Sequence, residues 1–233
     1  MPVDYADAAV YFVVFLFSTT LHEAAHAWAA LRGGDPTAYH GGQVSLDPIP
    51  HIRREPVGML LLPLFTAVVS GWPFGYASAP YDPEWAERHP TRAALMALAG
   101  PVANLLLVLI AGLMLRVGAI GGVFYAPQSV DFGHLSEGAS PGWTIVARIV
   151  SGFFSVNLLL AVLNLLPLPP LDGSGALPLL MKPESGRAYR RFLRASPFLG
   201  MIGIFVAWKL CELLFDPIFF AVVNFVYPGV TYG

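Results

Sequence analysis

His22, Glu23 and His26 form the pattern His-Glu-x-x-His within a long apolar stretch near the start of the chain. Residues four positions apart lie on the same face of a helix, so the two imidazoles can bind one metal ion. Glu23 is then placed to take a proton from a water molecule on that ion. Because polar groups inside a bilayer are expensive unless paired or ligated, the apolar surroundings favour a metal site over a packing role.

A catalytic zinc site usually has three protein ligands and one open position, so a third ligand must come from another segment. The best candidate is Asp172, in the sequence Asn-Leu-Leu-Pro-Leu-Pro-Pro-Leu-Asp-Gly at positions 164–173, which closes a later apolar stretch. Asp-Gly is also a common turn pair. Spacing alone therefore leaves Asp172 open as either a metal ligand or a turn residue.

The composition indicates a membrane protein. The chain is 56% hydrophobic and 12% charged, whereas soluble domains have about 25% charged residues. The formal net charge of −2 gives no broad basic face, so we expect no nucleic-acid partner. The single cysteine, Cys211, excludes an intrachain disulfide and any zinc site built from cysteines.

Apolar runs long enough to cross a bilayer predict an all-α polytopic membrane protein with four spanning helices. The four runs are Ala8–Leu31, Thr91–Val117, Trp143–Leu166 and Pro197–Val226. A shorter stretch at positions 57–72 contains an internal proline and is flanked by two more, which is typical of either a thin span or a re-entrant segment.

The distribution of charge predicts the orientation. Residues 182–194 carry five basic side chains and one acidic one, which places them in the cytoplasm, whereas residues 118–142 carry acidic side chains only and face outward. These assignments agree only if residues 57–72 enter and leave on the cytoplasmic side, so we predict a re-entrant segment. His22 and His26 then lie roughly 9–15 Å from the cytoplasmic end of the first helix, at 1.5 Å per residue.

Four sequence blocks, in this order and spacing, resemble the site-2 protease family of intramembrane zinc metalloproteases. They are the His-Glu-x-x-His pattern, Gly-Gln-Val-Ser-Leu-Asp-Pro at positions 42–48, Ala-Gly-Pro-Val-Ala-Asn at 99–104, and the block at 164–173. Two positions depart from the family pattern: Asp47 stands where asparagine is common, and Ser78 where lysine is usual. Neither change touches the candidate metal ligands.

The resemblance implies that His22, His26 and Asp172 bind one Zn²⁺ per chain. It also implies that Glu23 accepts a proton from the attacking water and then donates one to the leaving amine. Asn164 corresponds to a family asparagine near the metal, and its amide could donate to the oxyanion. An amide that packs between membrane helices is the alternative for Asn164.

The implied substrate is a transmembrane protein, cut within the lipid bilayer of a prokaryotic cytoplasmic membrane, with the active site near the cytoplasmic side. A transmembrane helix must unwind locally to be cut, so we expect a short β segment after the first helix to bind the unwound stretch as an added strand. The candidate substrate contacts are Gly42, Val44, Leu46 and Asn104. A structural loop at 42–46 and a packing role for Asn104 remain equally good explanations.

We predict a single membrane-embedded domain over residues 1–233, without PDZ or CBS domains. Residues 8–173 form its catalytic core, and residues 174–233 form a basic cytoplasmic loop and a C-terminal membrane helix. Two other functions remain open: a zinc transporter of the ZIP type and a catalytically idle scaffold. A transporter needs a second helix rich in metal ligands, which the sequence does not offer, and retention of all three ligands with Glu23 weighs against a scaffold.

Overall fold

A computed structural model describes residues 3–233, which form a bundle of helices with one small antiparallel sheet. In chain order the helices are α1 (Tyr5–Gly33), α2 (Thr37–His40), α3 (Pro48–Arg54), α4 (Leu62–Ser70), α5 (Pro83–Arg88), α6 (Pro90–Ile120), α7 (Pro141–Leu165), α8 (Asp172–Ala176), α9 (Pro183–Ala195) and α10 (Phe198–Val226). A π-helical turn, Val57–Leu61, leads into α4, and a 3₁₀ turn, Leu177–Leu180, follows α8. Strands β1 (Phe124–Tyr125) and β2 (Glu137–Gly138) pair in the loop between α6 and α7.

Helices α1, α6, α7 and α10 are each long and apolar enough to cross a membrane. They coincide with the four predicted runs and confirm an all-α polytopic membrane protein. Asp4 starts α1 by accepting hydrogen bonds from the N–H groups of Ala6 and Asp7, and Gly34 ends it with a φ of 95°. Both are expected helix-end signals, since a side-chain oxygen satisfies free N–H groups and glycine adopts the left-handed conformation without strain.

Helices α1, α6 and α7 form the centre of the bundle, and α10 lies at its edge. Only 17% of the most apolar window of α10 is buried, against 44–56% for the other three. Toward the C-terminal end of α6, Leu115 packs with Phe154 and Val223 in a purely apolar cluster. The buried polar side chains His22, Glu23 and His26 lie in the other half of the bundle, and that half holds the candidate site.

The chain turns back on itself after residues 57–72, as a re-entrant segment requires. It enters as the π-helical turn and α4, and residues 73–82 return as backbone that is neither helix nor strand. The two legs meet where the Tyr76 N–H donates to the Gly58 carbonyl (3.1 Å) and the Ser78 hydroxyl donates to Glu55 (2.7 Å). A Cβ on Gly58 would collide with Tyr76, so this close approach requires glycine.

The expected β segment after the first helix does not form, because residues 42–46 make bends instead of a strand. Two of their backbone groups form local hydrogen bonds instead: the Gln43 N–H donates to the Ala38 carbonyl, and the buried His51 donates from Nε2 to the Ser45 carbonyl (3.0 Å). The predicted basic loop is also corrected, because residues 183–195 of that loop fold into the amphipathic helix α9.

Cysteine labelling tests the orientation of the re-entrant segment. In a Cys211→Ser background, a membrane-impermeant maleimide added to intact cells should label Glu137→Cys in the outer loop. It should label Ser78→Cys and Ser185→Cys only after the cells are opened, because the charge distribution predicts that both legs and α9 lie on the cytoplasmic side. Labelling of Ser78→Cys in intact cells, at a rate near that of Glu137→Cys, would instead show that residues 57–72 cross the membrane.

Candidate metal centre

The structure brings three predicted ligand side chains together from two distant parts of the chain. His22 and His26 lie one turn apart on α1, and Asp172 is the first residue of α8. The Nε2 atoms of the two histidines are 3.0 Å apart, and Asp172 Oδ2 lies 3.0 Å from His22 Nε2 and 3.2 Å from His26 Nε2. Both histidines are buried, and Asp172 is partly buried.

A chain of hydrogen bonds fixes the tautomer of His22. The carbonyl of Phe153 can only accept, so the group of Asn157 that faces it (2.7 Å) is the amide nitrogen. Asn157 Oδ1 then accepts from Asn104 Nδ2 (2.8 Å), and Asn104 Oδ1 faces His22 Nδ1 (2.6 Å). His22 Nδ1 therefore carries a hydrogen, and the lone pair of a neutral His22 is on Nε2.

His26 is fixed in the same tautomer by a single partner, because its Nδ1 faces the Met96 carbonyl at 2.7 Å. The two Nε2 lone pairs and a carboxylate oxygen thus converge within about 3 Å, where they repel one another unless a cation lies among them. A carboxyl ordinarily ionises well below neutral pH, so Asp172 offers an anionic oxygen to a metal ion.

This donor set fits Zn²⁺. Two imidazoles and one carboxylate are a common ligand set of catalytic zinc. Tetrahedral ligands at 2.0–2.1 Å from a metal are spaced by about 3.3 Å, close to the separations of 3.0–3.2 Å between these three atoms.

Gly100 on α6 keeps the space beside the three ligand atoms open. A Cβ at this position would collide with the Nε2 atoms of both His22 and His26. The next residue, Pro101, lies inside the helix and has no N–H, so the carbonyl four residues earlier, on Ala97, lacks its usual helical partner. Ala97 lines the same cavity as the ligands.

Glu23 lies beside the ligands and faces the cavity. Its side chain is 5% exposed, and its Oε2 has no hydrogen-bond partner among the residues that the structure describes. A buried carboxylate oxygen without a partner carries a large desolvation penalty. A water molecule between Glu23 and the ligands would relieve that penalty, and this is the geometry that proton transfer needs.

The cavity has a volume of about 650 Å³ and is walled by segments far apart in the sequence. Asn164 lines it, although its amide currently donates to the Leu160 carbonyl (3.0 Å). The returning leg of the re-entrant segment, residues 74–79, forms a second wall, and Tyr189 and Arg190 of α9 form a third. Burial raises the pKa of Tyr189 and lowers that of Arg190.

The four residues predicted to contact the substrate do not line the cavity. Gly42, Val44 and Leu46 do not line it. Asn104 is fully buried behind His22, where it orients the imidazole and cannot reach a substrate.

Sequence reasoning missed Asn157, which holds Asn104 and also donates to the Ser18 hydroxyl (2.9 Å). Its only signal in the sequence was an amide inside an otherwise apolar helix, which does not show what the amide contacts.

A second cavity, of about 740 Å³, contains none of the predicted site residues. It is larger than the first and is lined mainly by aromatic side chains, including Tyr11, Trp72, Phe132 and Phe215. We place the chemistry in the smaller cavity, because only that cavity contains His22, Glu23, His26 and Asp172.

Comparisons with known proteins identify the family of the chain. Residues 10–208 match peptidase family M50. The chain is 31% identical to YwhC of Bacillus subtilis over 205 residues, which cover 85% of this chain and 84% of the relative. It is 32% identical to Rip2 of Mycolicibacterium smegmatis over 189 residues and 34% identical to Rip2 of Mycobacterium tuberculosis over 190 residues. Each Rip2 match covers 80% of this chain and 63% of the relative, so the chain spans less than two thirds of those proteins.

All three relatives are named as candidate zinc metalloproteases. No solved structure matches the chain. A family match over most of the chain and these relatives together give the assignment: this integral membrane protein belongs to peptidase family M50, a family of zinc metalloproteases.

Proposed function

We propose that the protein is a zinc-dependent intramembrane endopeptidase that cuts transmembrane segments of other membrane proteins. The observation that carries this proposal is the convergence of His22, His26 and Asp172 beside the unpartnered Glu23, inside a bundle of membrane-spanning helices. A soluble metalloprotease would have no need to hold these groups among apolar spans. The depth of the site therefore points to a substrate that lies in the bilayer.

Each side chain has one role in the proposed reaction. His22, His26 and Asp172 hold Zn²⁺, which when bound polarises the scissile carbonyl and lowers the pKa of water. Glu23 accepts one proton from the attacking water as the C–O bond forms, and it delivers that proton to the amine nitrogen as the C–N bond breaks. Asn164 lies on the wall of the cavity, and its amide donates to the carbonyl oxygen as negative charge develops there.

The returning leg of the re-entrant segment is the proposed binding edge for an unwound substrate. Residues 73–82 form neither helix nor strand, and residues 74–79 run along the cavity wall. The peptide groups of Ala77 and Ala79 have no hydrogen-bond partner within residues 3–233. A substrate strand laid against them would pair its backbone groups with theirs, as in other cases of strand addition. This edge replaces the one expected at residues 42–46.

The proposed location is a prokaryotic cytoplasmic membrane, with the active site near the cytoplasmic face. The metal ligands lie in the half of α1 that ends at Gly33, and the basic helix α9 borders the same cavity. Basic residues are retained on the cytoplasmic side of a membrane. The relatives named above are bacterial proteins, which agrees with this location.

The substitution Glu23→Gln tests the role of the general base. Purified protein in detergent should cut synthetic transmembrane peptides, and Glu23→Gln should lower the rate by about 10²–10⁴-fold, as expected for loss of acid–base catalysis. Zinc content, measured by elemental analysis, should stay near that of the unmodified protein because Glu23 is not a ligand. Equal cleavage by both proteins would contradict the proposal, and zinc uptake into proteoliposomes without any cleavage would favour a transporter.

Proline substitutions distinguish the two candidate substrate edges. Ala77→Pro removes one N–H from the edge that lines the cavity, so it should raise the KM for a transmembrane peptide severalfold while zinc binding is retained. Val44→Pro is the matched control, because Val44 lies in the loop that does not reach the cavity. A larger loss with Val44→Pro than with Ala77→Pro would restore residues 42–46 as the binding edge.

A methyl group tests whether the space beside Gly100 is the metal position. Gly100→Ala places a Cβ against both histidine Nε2 atoms and should abolish stoichiometric zinc binding, measured by competition with a coloured chelator. Gly112→Ala is the control on the same helix, because a Cβ there meets no metal ligand and lies 3.4 Å from Phe154 and 3.7 Å from Val226. If Gly100→Ala binds zinc as tightly as Gly112→Ala, the metal is held elsewhere.

A further inference from the structure

Arg190 of α9 reaches from the basic helix to two backbone carbonyls beside the metal centre. Its Nη2 atom donates to the Gly175 carbonyl at 3.1 Å and to the Pro90 carbonyl at 3.3 Å. Gly175 belongs to α8, the helix that begins with Asp172, and Pro90 is the first residue of α6. One guanidinium thus joins three helices. Arg190 lies outside all four motif blocks of the sequence.

The carbonyl of Gly175 needs a donor because α8 is only five residues long. The last four carbonyls of any helix lack intrahelical partners, and the carboxyl end of a helix favours a positive charge. A helix this short is not stable by itself, and α8 has no side-chain cap at its start. The position of Asp172 therefore depends on contacts that other elements make with α8.

The second carbonyl that Arg190 binds, that of Pro90, belongs to the helix that contacts both histidines. Helix α6 also carries Met96, Gly100 and Asn104, which orient or make room for the two histidines. Helix α8 also packs directly on α6, where Gly175 lies against Ala97. By binding both helices beside this contact, Arg190 links the helix that carries Asp172 to the helix that orients the histidines.

We propose that Arg190 is a positioning residue of the metal centre: it caps α8, ties it to α6 and so holds Asp172 in place to bind the metal. The proposal rests on the metal site of the proposed function and is independent of peptide cleavage. It assigns α9 a part in metal binding beyond the topological role of its positive charges.

Zinc affinity of the purified full-length chain tests this role. Arg190→Ala should weaken zinc binding by about tenfold relative to Arg191→Ala, the low end of the range for residues that support metal ligands. Arg191 is the matched control: it is the next residue, it is exposed, and it makes no hydrogen bond or ion pair within the described part of the chain. Arg190→Lys, which keeps the charge but not the fork of donors, should give an intermediate affinity.

Two further measurements separate positioning from a general loss of structure. Cobalt(II) bound to Arg190→Ala should show weaker visible absorption than cobalt(II) bound to Arg191→Ala, because a displaced carboxylate distorts the tetrahedral ligand set. The zinc-free melting temperature of Arg190→Lys should equal that of Arg191→Ala.

Zinc affinities of Arg190→Ala and Arg190→Lys that both lie within twofold of Arg191→Ala would overturn the proposal. The proposal would also be overturned if Arg190→Lys bound zinc more weakly only to the extent that its zinc-free form was less stable. Because no substrate is used, an unmodified protein that binds zinc but cleaves nothing would overturn the proposed function alone and leave the positioning role standing.

Discussion

The metal centre depends on the direction of one chain of hydrogen bonds, which starts at the Phe153 carbonyl and ends at His22. A backbone carbonyl cannot donate, so every amide along the chain has only one allowed orientation, and Nε2 of His22 is left as an acceptor. In an apolar interior, such a fully satisfied polar network is rigid, whereas a partly satisfied one is costly. The whole bundle must therefore bring α1, α6 and α7 to the separation that closes the chain.

That separation is set by small residues as much as by polar ones. Gly100 lets α6 approach the two imidazoles without a side chain between them, and Gly58 lets the two legs of the re-entrant segment meet. Membrane helices pack closely where small residues allow their backbones to approach. The glycines thus have distinct purposes: one keeps room for a cation and the other lets two segments of backbone meet.

Charge placement, apolar length and motif spacing predicted the spans, the re-entrant segment and the pair His22 and His26, since each depends on local sequence or on a simple sum of charges. Spacing left Asp172 open, and the resemblance to the site-2 protease family made it the third predicted ligand. Three features could not be predicted this way. The roles of Asn104 and Asn157 depend on which way a side chain points across a helix interface. The contact of Arg190 depends on a fold in which α9 returns to the end of α8. The proposed edge for binding substrate at residues 74–79 depends on which loop reaches the cavity.

Non-helical backbone at membrane depth is tolerated only where protein or a water-filled cavity satisfies its peptide groups. On one side of the returning leg, the Tyr76 N–H donates to the Gly58 carbonyl and the Ser78 carbonyl accepts from Arg54. On the other side, the leg faces the cavity beside Glu23. Hydrolysis also needs water at this depth. Under the proposed mechanism, one cavity would meet two separate requirements: it would solvate the peptide groups that a substrate strand later occupies, and it would supply the water that Glu23 deprotonates. An enzyme that filled this cavity with apolar side chains would have a better packed core, but its binding edge would be unstable and its base would have no water to activate.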